Sequence, residues 1–289
     1  MIPPAFEYLR PKTIPEAIAF LQQYGDDAKI LSGGQSLIPL MKFRLARPGY
    51  LIDINRISGL SYIKEEGGYL KIGGLTRESE LEHSPLIRAK YPILLDTTRV
   101  IADPQVRNMA TLAGNLAHGD PANDHPATMV ALGAQIVATG PKGERVLPAE
   151  SFFVTLFTTE LQHDEIVTEI RIPVQPPRSG GAYVKLERKV GDFATAAVAA
   201  QLTVDDKGVC QKVGIGLTNV GATPVKASKA EEFLQGKKLD EANITQAAQL
   251  AADDAQPSSD LRGPAEYKKG LVKELTRRAL VRAYERAGK

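Results

Sequence analysis

The segment Ala28-Lys-Ile-Leu-Ser-Gly-Gly-Gln-Ser-Leu-Ile-Pro-Leu-Met-Lys42 joins a short apolar run to a turn of small residues. The run at 29–31 predicts a buried strand, and it leads directly into Ser32-Gly-Gly-Gln-Ser36. Paired glycines permit positive φ and lack a Cβ, so main-chain N–H groups can converge on an anion. The hydroxyls of Ser32 and Ser36 add further donors. The segment therefore predicts an anion-binding turn at the end of a strand.

A second segment, Thr111-Leu-Ala-Gly-Asn-Leu-Ala-His-Gly-Asp120, repeats this chemistry with Thr111, Gly114 and Asn115. One Gly-Gly turn is usually structural, so the prediction depends on the pair. Two small-residue turns suit the two phosphates of a dinucleotide. The sequence Gly-Gly-Gln-Ser does not fit Gly-x-Gly-x-x-Gly, which argues against a Rossmann site, and the chain has no Walker loop.

Composition excludes several classes of protein. The chain has 289 residues, 43% of them hydrophobic and 24% charged, with a net charge of +2, so nothing indicates binding to nucleic acid or to a membrane surface. The single cysteine, Cys210, excludes an internal disulfide framework and a cysteine-ligated iron–sulfur cluster within this chain. The chain contains no apolar run of about 18 residues, so direct membrane insertion is not predicted. No signal peptide is recognisable, and we expect a cytoplasmic protein.

The pattern of elements predicts an α+β protein with three parts. Residues 1–57 form an α/β unit, whose first helix is capped by Thr13, with Pro15 in its first turn, and ends at Gly25. Residues 58–175 form a second unit of hairpins and short helices. The stretch Val174–Gly181, rich in Pro, Gly and Ser, predicts a linker. Residues 176–289 form a C-terminal domain.

The C-terminal domain is predicted to contain a three-stranded sheet followed by helices. The strands are expected at 182–187, 195–204 and 209–217, and the helices at 226–234, 240–255 and 264–287. Apolar residues at intervals of four in the last helix predict a face that packs on the sheet: Tyr267, Leu271, Leu275, Ala279 and Ala283.

His118, Asp120, Asp124 and His125 form the densest set of possible metal ligands, without a recognisable metal spacing. A second interpretation is loop capping by Asp and Asn side chains near Gly119. The favoured interpretation is cofactor binding, in which the Asp124 carboxylate accepts a hydrogen bond from a ribose or ribityl hydroxyl. No metal site is predicted.

The stretch Lys185-Leu-Glu-Arg-Lys-Val-Gly-Asp-Phe-Ala-Thr195 is a third candidate. Arg188 and Lys189 would offset the negative charge of a dinucleotide, Asp192 would accept a hydrogen bond from a ring N–H, and Phe193 presents an aromatic face. By itself the stretch favours a charged strand edge with a turn at Gly191.

Together these segments resemble the FAD-binding medium subunits of molybdenum-containing hydroxylases. Within this family, the resemblance is strongest to the aerobic carbon monoxide dehydrogenases. The likeness spans nearly the whole chain. The motifs that carry it are Tyr8-x-Arg-Pro-Lys12, Gly33-Gly-x-Ser-Leu-Ile-Pro39, Met41-Lys-x-Arg-Leu-Ala46, Ile101-Ala-Asp-Pro-Gln105, Gly114-Asn115, Gly119-Asp-Pro-x-Asn-Asp124, Arg188-Lys-x-Gly-Asp192 and Arg262-Gly-Pro-Ala-Glu-Tyr267.

The resemblance implies a two-subdomain FAD-binding domain, similar to the PCMH and vanillyl-alcohol-oxidase fold, followed by a C-terminal domain that covers the flavin. It implies that both glycine segments bind the diphosphate, that Asp124 binds a cofactor hydroxyl and that the remaining positions border the flavin. The cofactor-binding residues implied are Ser32, Gly33, Gly34, Gln35, Ser36, Leu37, Ile101, Ala102, Thr111, Leu112, Ala113, Gly114, Asn115, Asp124, Leu161, Lys185, Asp192 and Phe193.

Three residues depart from the pattern of carbon monoxide dehydrogenases. Ala113 stands where that pattern has Gly, and its methyl fits if φ is negative there. Gln35 replaces a His and keeps a polar group near the phosphates. Phe193 replaces a Tyr, which preserves the stacking face and removes the hydroxyl.

By resemblance, the chain is an electron-transfer subunit with no catalytic residue of its own. An iron–sulfur small subunit with [2Fe–2S] clusters and a molybdopterin large subunit are the implied partners, in a dimer of heterotrimers. Carbon monoxide is the favoured substrate of the complex, and xanthine, aldehydes and heterocycles stay open. Two rival interpretations are a stand-alone flavin oxidase and a nucleotide-binding module without enzymatic activity.

Overall fold

The computed structural model describes residues 1–288, and the chain begins with a small parallel sheet. Its three strands pair in the order β1-β3-β2, all parallel. As predicted, the Thr13 side chain caps the first helix by accepting a hydrogen bond from the Glu16 N–H. Gly25, which has a φ of 52°, ends the same helix. The elements are β1 (Glu7–Leu9), α1 (Ile14–Tyr24), β2 (Ala28–Leu31), α2 (Leu37–Lys42) and β3 (Tyr50–Asp53).

The second part is built on a five-stranded antiparallel sheet, in the order β4-β5-β10-β6-β7, and on a separate short hairpin, β8-β9. Its elements are β4 (Ile63–Glu66), β5 (Tyr69–Gly73), α3 (Glu78–His83), α4 (Pro85–Lys90), α5 (Pro92–Arg99), α6 (Pro104–Arg107), α7 (Leu112–His118), α8 (Asp124–Leu132), β6 (Gln135–Gly140), β7 (Gly143–Pro148), α9 (Ala149–Phe152), β8 (Phe153–Thr155), β9 (Thr158–Thr159) and β10 (Ile166–Pro173).

Helix α8 is the most deeply buried helix of this part, because all nine of its residues are buried. A helix that is covered on every side lies inside a core rather than on its surface. Asp124, its first residue, is thereby carried into the interior as well, with 5% of its surface exposed.

The third part is an antiparallel sheet with helices, as expected. Three long strands are present, and the two-residue β14 extends them to a fourth, in the order β11-β12-β13-β14. The end of the predicted linker, Ser179–Gly181, belongs to the first of these strands. The elements are β11 (Ser179–Leu186), β12 (Ala196–Val204), β13 (Cys210–Thr218), β14 (Val225–Lys226), α10 (Ser228–Leu234), α11 (Glu241–Asp254) and α12 (Ala265–Ala287).

Strand β12 lies between the second and third parts and packs against both. All nine of its residues are buried. Successive side chains of a strand point to opposite faces. Ala197 and Ala199 accordingly pack in one core with residues of α5 and α8, while Ala196, Val198 and Ala200 pack in another with α11 and α12. The C-terminal sheet is therefore covered on both faces, with α8 packed against β12 and β13.

The predicted apolar face of α12 is correct in its C-terminal half and wrong at its start. Leu275, Ala279 and Ala283 are buried, whereas Tyr267 is 49% exposed. The neighbouring Lys268 takes the interior position, and its Nζ donates to the Asp260 carboxylate at 2.8 Å. A buried ammonium is tolerated when it is paired, which is why the apolar spacing misplaced this turn.

The predicted borders at 57/58 and 175/176 stay proposals. Leu75 and Ile166 of the second part belong to the same core as Ala17 and Ile52 of the first.

Within residues 1–288, no helix combines the length and the apolar character needed to cross a bilayer.

Candidate functional site

The two small-residue segments meet in space. The Ser32 Oγ lies 3.0 Å from the Thr111 Oγ1. A Cβ on Gly33 would lie 2.5 Å from the carbonyl oxygen of Met109, so only glycine allows the two backbones to approach this closely. Gly34 adopts φ 74°, the left-handed region that the paired glycines were expected to supply. The segments therefore form one continuous surface.

The second segment differs from the predicted turn, because it is the start of helix α7. The Thr111 Oγ1 accepts from the Gly114 N–H at 3.1 Å and caps the helix. Ala113 is in the first turn and 4% exposed, and helical φ is negative, so its methyl group is accommodated. The Asn115 Oδ1 is buried and has no hydrogen-bond partner within residues 1–288. An amide group of this kind is available to a ligand.

Asn55 and Arg77 hold the two segments together, although no sequence motif selects either residue. The Asn55 Nδ2 donates to the carbonyl oxygen of Ser32 at 2.8 Å. Arg77 donates both to the Asn55 Oδ1 and to the carbonyl oxygen of Met109. Burial lowers the pKa of the Arg77 guanidinium. No sequence signal finds this network, because its members are brought together only by the fold.

Two adjoining cavities lie along this surface, of about 440 Å³ and 310 Å³. Ligand sites typically measure about 300–1,000 Å³, so together they accommodate an extended ligand. Ala113 and Leu161 line the smaller cavity. Leu112 is fully buried and lines neither cavity. The other predicted cofactor-binding residues line the larger one: Ser32, Gly33, Gly34, Gln35, Ser36, Leu37, Ile101, Ala102, Thr111, Gly114, Asn115, Asp124, Lys185, Asp192 and Phe193.

Lys29 lines both cavities and was not predicted as a site residue. It belongs to β2, three residues before Ser32, and its side chain forms no hydrogen bond or ion pair with any other residue in the described range 1–288. Its place just before the first glycine segment was the available signal. His118 also lines the larger cavity, and burial lowers its pKa.

Asp124 lines the larger cavity, and both of its carboxylate oxygens are engaged. The Tyr183 hydroxyl donates to Oδ1 at 2.6 Å, and the Lys185 Nζ donates to Oδ2 at 2.9 Å and also to the carbonyl oxygen of Val100 at 3.0 Å. Burial raises the pKa of Asp124, and the Lys185 ammonium opposes that effect. A carboxylate has about four lone-pair sites, so it can still accept from a cofactor hydroxyl.

Asp192 is also fully engaged by protein donors. Its Oδ1 accepts from Arg262 at 2.9 Å and from the Phe193 N–H at 2.8 Å, and its Oδ2 accepts from Arg188 at 3.1 Å. The hydrogen bond from Arg262 is the main reason that the pKa of Asp192 falls to about 2. Arg188 and Lys189 do not line either cavity, and Arg188 is bonded to Asp192, so their role in offsetting the charge of a cofactor stays a prediction.

The four possible metal ligands do not converge. The His125 Nε2 pairs with the Glu78 Oε2 at 2.8 Å in the core, and the Asp120 Oδ1 accepts from the Ala122 N–H. Across residues 1–288, no group of three or more His, Cys, Asp or Glu side chains could hold a metal ion. The Asp120 contact is the loop capping that the second interpretation expected.

Charges along the cavities favour an anionic ligand at their junction. Each acidic lining residue is bonded to a cation: Asp124 to Lys185, Asp192 to Arg262 and Glu165 to Arg145. Lys29, an exposed residue that lines both cavities together with Ser32 and Gly114, has no acidic partner among residues 1–288. The glycine contact and this cation together fit a dinucleotide diphosphate, whereas the unpartnered Asn115 Oδ1, an acceptor, suits a hydroxyl or N–H group of the ligand.

Two family models match the chain. The first, described as "FAD binding domain in molybdopterin dehydrogenase", covers residues 4–175. The second, "CO dehydrogenase flavoprotein C-terminal domain", covers residues 181–283.

Full-length relatives agree. The carbon monoxide dehydrogenase medium chain of Afipia carboxidovorans is 47% identical, over 99% of each chain. The structure of carbon monoxide dehydrogenase from Hydrogenophaga pseudoflava, lacking the Mo-pyranopterin moiety, contains a chain with 46% identity and a TM-score of 0.96 over 99% of each chain. Quinoline 2-oxidoreductase from Pseudomonas putida 86 is similar at 33% identity, with a TM-score of 0.93 over 100% of each chain.

The motif resemblance and the α+β architecture are thus confirmed at the level of the family, whose cofactor is FAD and whose named relatives are oxidoreductases. The chain belongs to the FAD-binding flavoproteins of the molybdopterin dehydrogenase family.

Proposed function

We propose that this chain is the electron-transfer subunit of a heterotrimeric molybdenum hydroxylase that oxidises carbon monoxide. In this proposal the chain binds FAD in the two cavities, and electrons arrive from a [2Fe–2S] partner chain and leave to an external acceptor. Bound FAD supplies the redox chemistry, while the protein contributes binding, orientation and electrostatics. The meeting of both small-residue segments beside the uncompensated Lys29 supports FAD binding most directly.

The residues of the chain then have distinct tasks. Residues 32–37 and 111–115 hold the diphosphate through N–H groups and hydroxyls, and Lys29 offsets its charge. Asp124 accepts from a cofactor hydroxyl, in an orientation that Tyr183 and Lys185 fix. Phe193, which is 46% exposed and lines the larger cavity, presents its ring to the flavin and excludes water from that side.

The partner chains follow from what this chain lacks and from the names of its relatives. Its only cysteine, Cys210, is buried, and burial raises the pKa of its thiol to about 11. Iron–sulfur ligands are therefore expected on a small subunit and molybdopterin on a large one, which agrees with the name "medium chain" of the relatives. A dimer of such heterotrimers in the cytoplasm, without insertion into a membrane, completes the proposal.

A second candidate is the same subunit in a complex that oxidises a heterocycle, an aldehyde or xanthine. The likeness to quinoline 2-oxidoreductase supports it, because the same fold accompanies a different substrate there. The C-terminal part, 176–289, contains no histidine, which argues against a stand-alone oxidase with its own acid–base group.

Purification of the native complex tests these alternatives. We expect three kinds of chain, molybdenum, iron, bound FAD, and bleaching of the flavin absorbance when carbon monoxide is added. A flavin-containing three-chain complex that carbon monoxide does not reduce would favour the second candidate. A chain that purifies alone and carries no flavin would contradict both and leave the nucleotide-binding module.

A further inference from the structure

A turn at the start of α12 reaches across to the stretch 188–193 at the mouth of the larger cavity. Asp260 and Gly263 close this turn with two backbone hydrogen bonds of 3.1 Å. Between them, Arg262 extends its guanidinium to the Asp192 Oδ1 at 2.9 Å and lies 5.7 Å from the centroid of the Phe193 ring. One arginine thus contacts both predicted flavin-facing residues of this stretch.

The position of Arg262 is fixed from the interior. The Arg262 N–H donates to the Asp260 Oδ1 at 2.8 Å, and the Asp260 Oδ2 accepts from the Lys268 Nζ, also at 2.8 Å. The Lys268 side chain is 1% exposed and belongs to the long helix α12. Consecutive hydrogen bonds thus connect helix α12, the Asp260 carboxylate and the turn that carries Arg262. These bonds fix the position of Arg262 relative to Asp192.

The stretch 188–193 has little else to keep it in place. Val190 is 94% exposed, and the bonds from Asp192 N–H to Lys189 and from Gly191 N–H to Glu187 are local. Among residues 1–288, the bond to Arg262 is the one hydrogen bond that connects 188–193 to a distant part of the chain. The remaining support is packing of Gly191, whose absent Cβ would lie 2.6 Å from the carbonyl oxygen of Ala102, and the anchor just after the stretch at Ala194, whose carbonyl oxygen accepts from the Asn219 Nδ2 at 2.6 Å.

We propose that Arg262 is the positioning residue for the flavin end of the site. By holding the Asp192 carboxylate, it keeps 188–193 closed against 101–102 and keeps the Phe193 ring at the cavity. It also neutralises a carboxylate beside the flavin. This inference rests on the proposed FAD binding, since a flavin is the group that Phe193 would face.

Limited trypsin digestion of the full-length chain tests the positioning role without any flavin. Arg188 and Lys189 are exposed trypsin sites within the stretch itself. We expect Arg262→Ala to speed cleavage after these residues about tenfold, and Arg262→Lys to restore part of the protection, because a charge-assisted bond is lost and partly regained. Arg278→Ala, which removes an exposed partner of Glu274 on the same helix, is the matched control and should not change the rate.

The reduction potential of bound FAD distinguishes positioning from simple support. In Arg262→Ala the Asp192 carboxylate keeps only its exposed cationic partner Arg188, so its negative charge is less compensated and we expect a more negative potential. Asp192→Asn added to that variant should reverse the shift. If Arg262→Ala does not fold, Asp192→Asn can be used instead, because it weakens the same Arg262–Asp192 ion pair. It should likewise raise the cleavage rate after Arg188 and Lys189. Unchanged cleavage and potential in the variants would refute the role of Arg262. A wild-type chain that binds no FAD would refute the proposed function instead, and the digestion would still measure the contact.

Discussion

The two ends of the candidate site are built in opposite ways. At the diphosphate end, the Gly33 backbone lies against that of Met109, the Ser32 and Thr111 hydroxyls are in hydrogen-bond contact, and Gly33 and Thr111 are buried. At the flavin end, residues 188–193 are held by a side-chain ion pair, and Val190 and Phe193 are exposed. Backbone contacts of this kind have no alternative arrangement, whereas an ion pair near the surface responds to salt, pH and single substitutions.

This difference fits the proposed function. A diphosphate has the same shape and charge in every turnover, so a preformed backbone site serves it well. The ring end must admit redox partners, and a segment held by one long-range contact can adapt to them. Three substitutions test this contrast by weakening each end in turn.

The largest effect is expected at the rigid end, from Gly34→Asp. Gly34 has φ 74°, and a Cβ there would lie 2.8 Å from the Ile38 Cδ1. The new side chain would strain the turn and place a negative charge beside the diphosphate. We expect the purified variant to contain no flavin by visible absorbance. Gly59→Asp is the control, because Gly59 has φ 80° and open space around its Cβ position. Normal flavin content in Gly34→Asp would show that this turn does not hold the cofactor.

A smaller loss is expected from Lys29→Glu at the junction of the cavities. Replacing an unpaired cation by an anion should weaken FAD binding roughly 10- to 100-fold, as for loss of a charge-assisted bond, and reduce its dependence on salt. Lys29→Arg should bind within about threefold of wild type, since the charge is kept. Flavin fluorescence titration measures the FAD affinity of the wild type and of both Lys29 variants. Lys212→Glu, on an exposed position of β13, controls for net charge, and an equal loss there would rule out a local role for Lys29.

The smallest effect is expected at the adjustable end, from Asp192→Asn. Because the pKa of Asp192 is lowered from 3.8 to about 2, its ionised form stabilises the folded chain above pH 4, and that contribution disappears as the pH falls toward 2. We expect the variant to be less stable by about 0.5–1 kcal/mol at pH 6, as for a partly exposed pair. Urea unfolding at pH 6, 4 and 3 should show this gap narrowing. A gap that stays constant over this range would mean that the ion pair does not stabilise the fold.

Local patterns predicted the elements that carry the site. The strand before Ser32, the cap at Thr13 and the three long C-terminal strands depend on neighbouring residues, and the structure contains them. The glycine segments could be paired because their chemistry repeats. Gln35 and Ala113, both departures from the family pattern, are accommodated as an exposed side chain and a helical residue.

Contacts between distant residues were outside the reach of such patterns. Arg188 was assigned to the cofactor because Arg262, which joins it at Asp192, lies far along the chain. Asn55 and Arg77 were missed for the same reason. Lys29 was not selected, since an isolated lysine on a strand is usually solvated. The register of α12 was misjudged because Lys268, a charged residue, occupies an interior position.

The strand β12, buried on both faces, has a consequence for how this chain can be divided. Two family models describe it as an N-terminal and a C-terminal segment, yet α5 and α8 of the first segment pack directly on the sheet of the second. A truncation after residue 175 would expose to water the apolar sides of two helices, one of them otherwise wholly enclosed. The boundary between the two family models therefore does not separate two independently packed units, and engineered fusions or swaps should exchange both segments together.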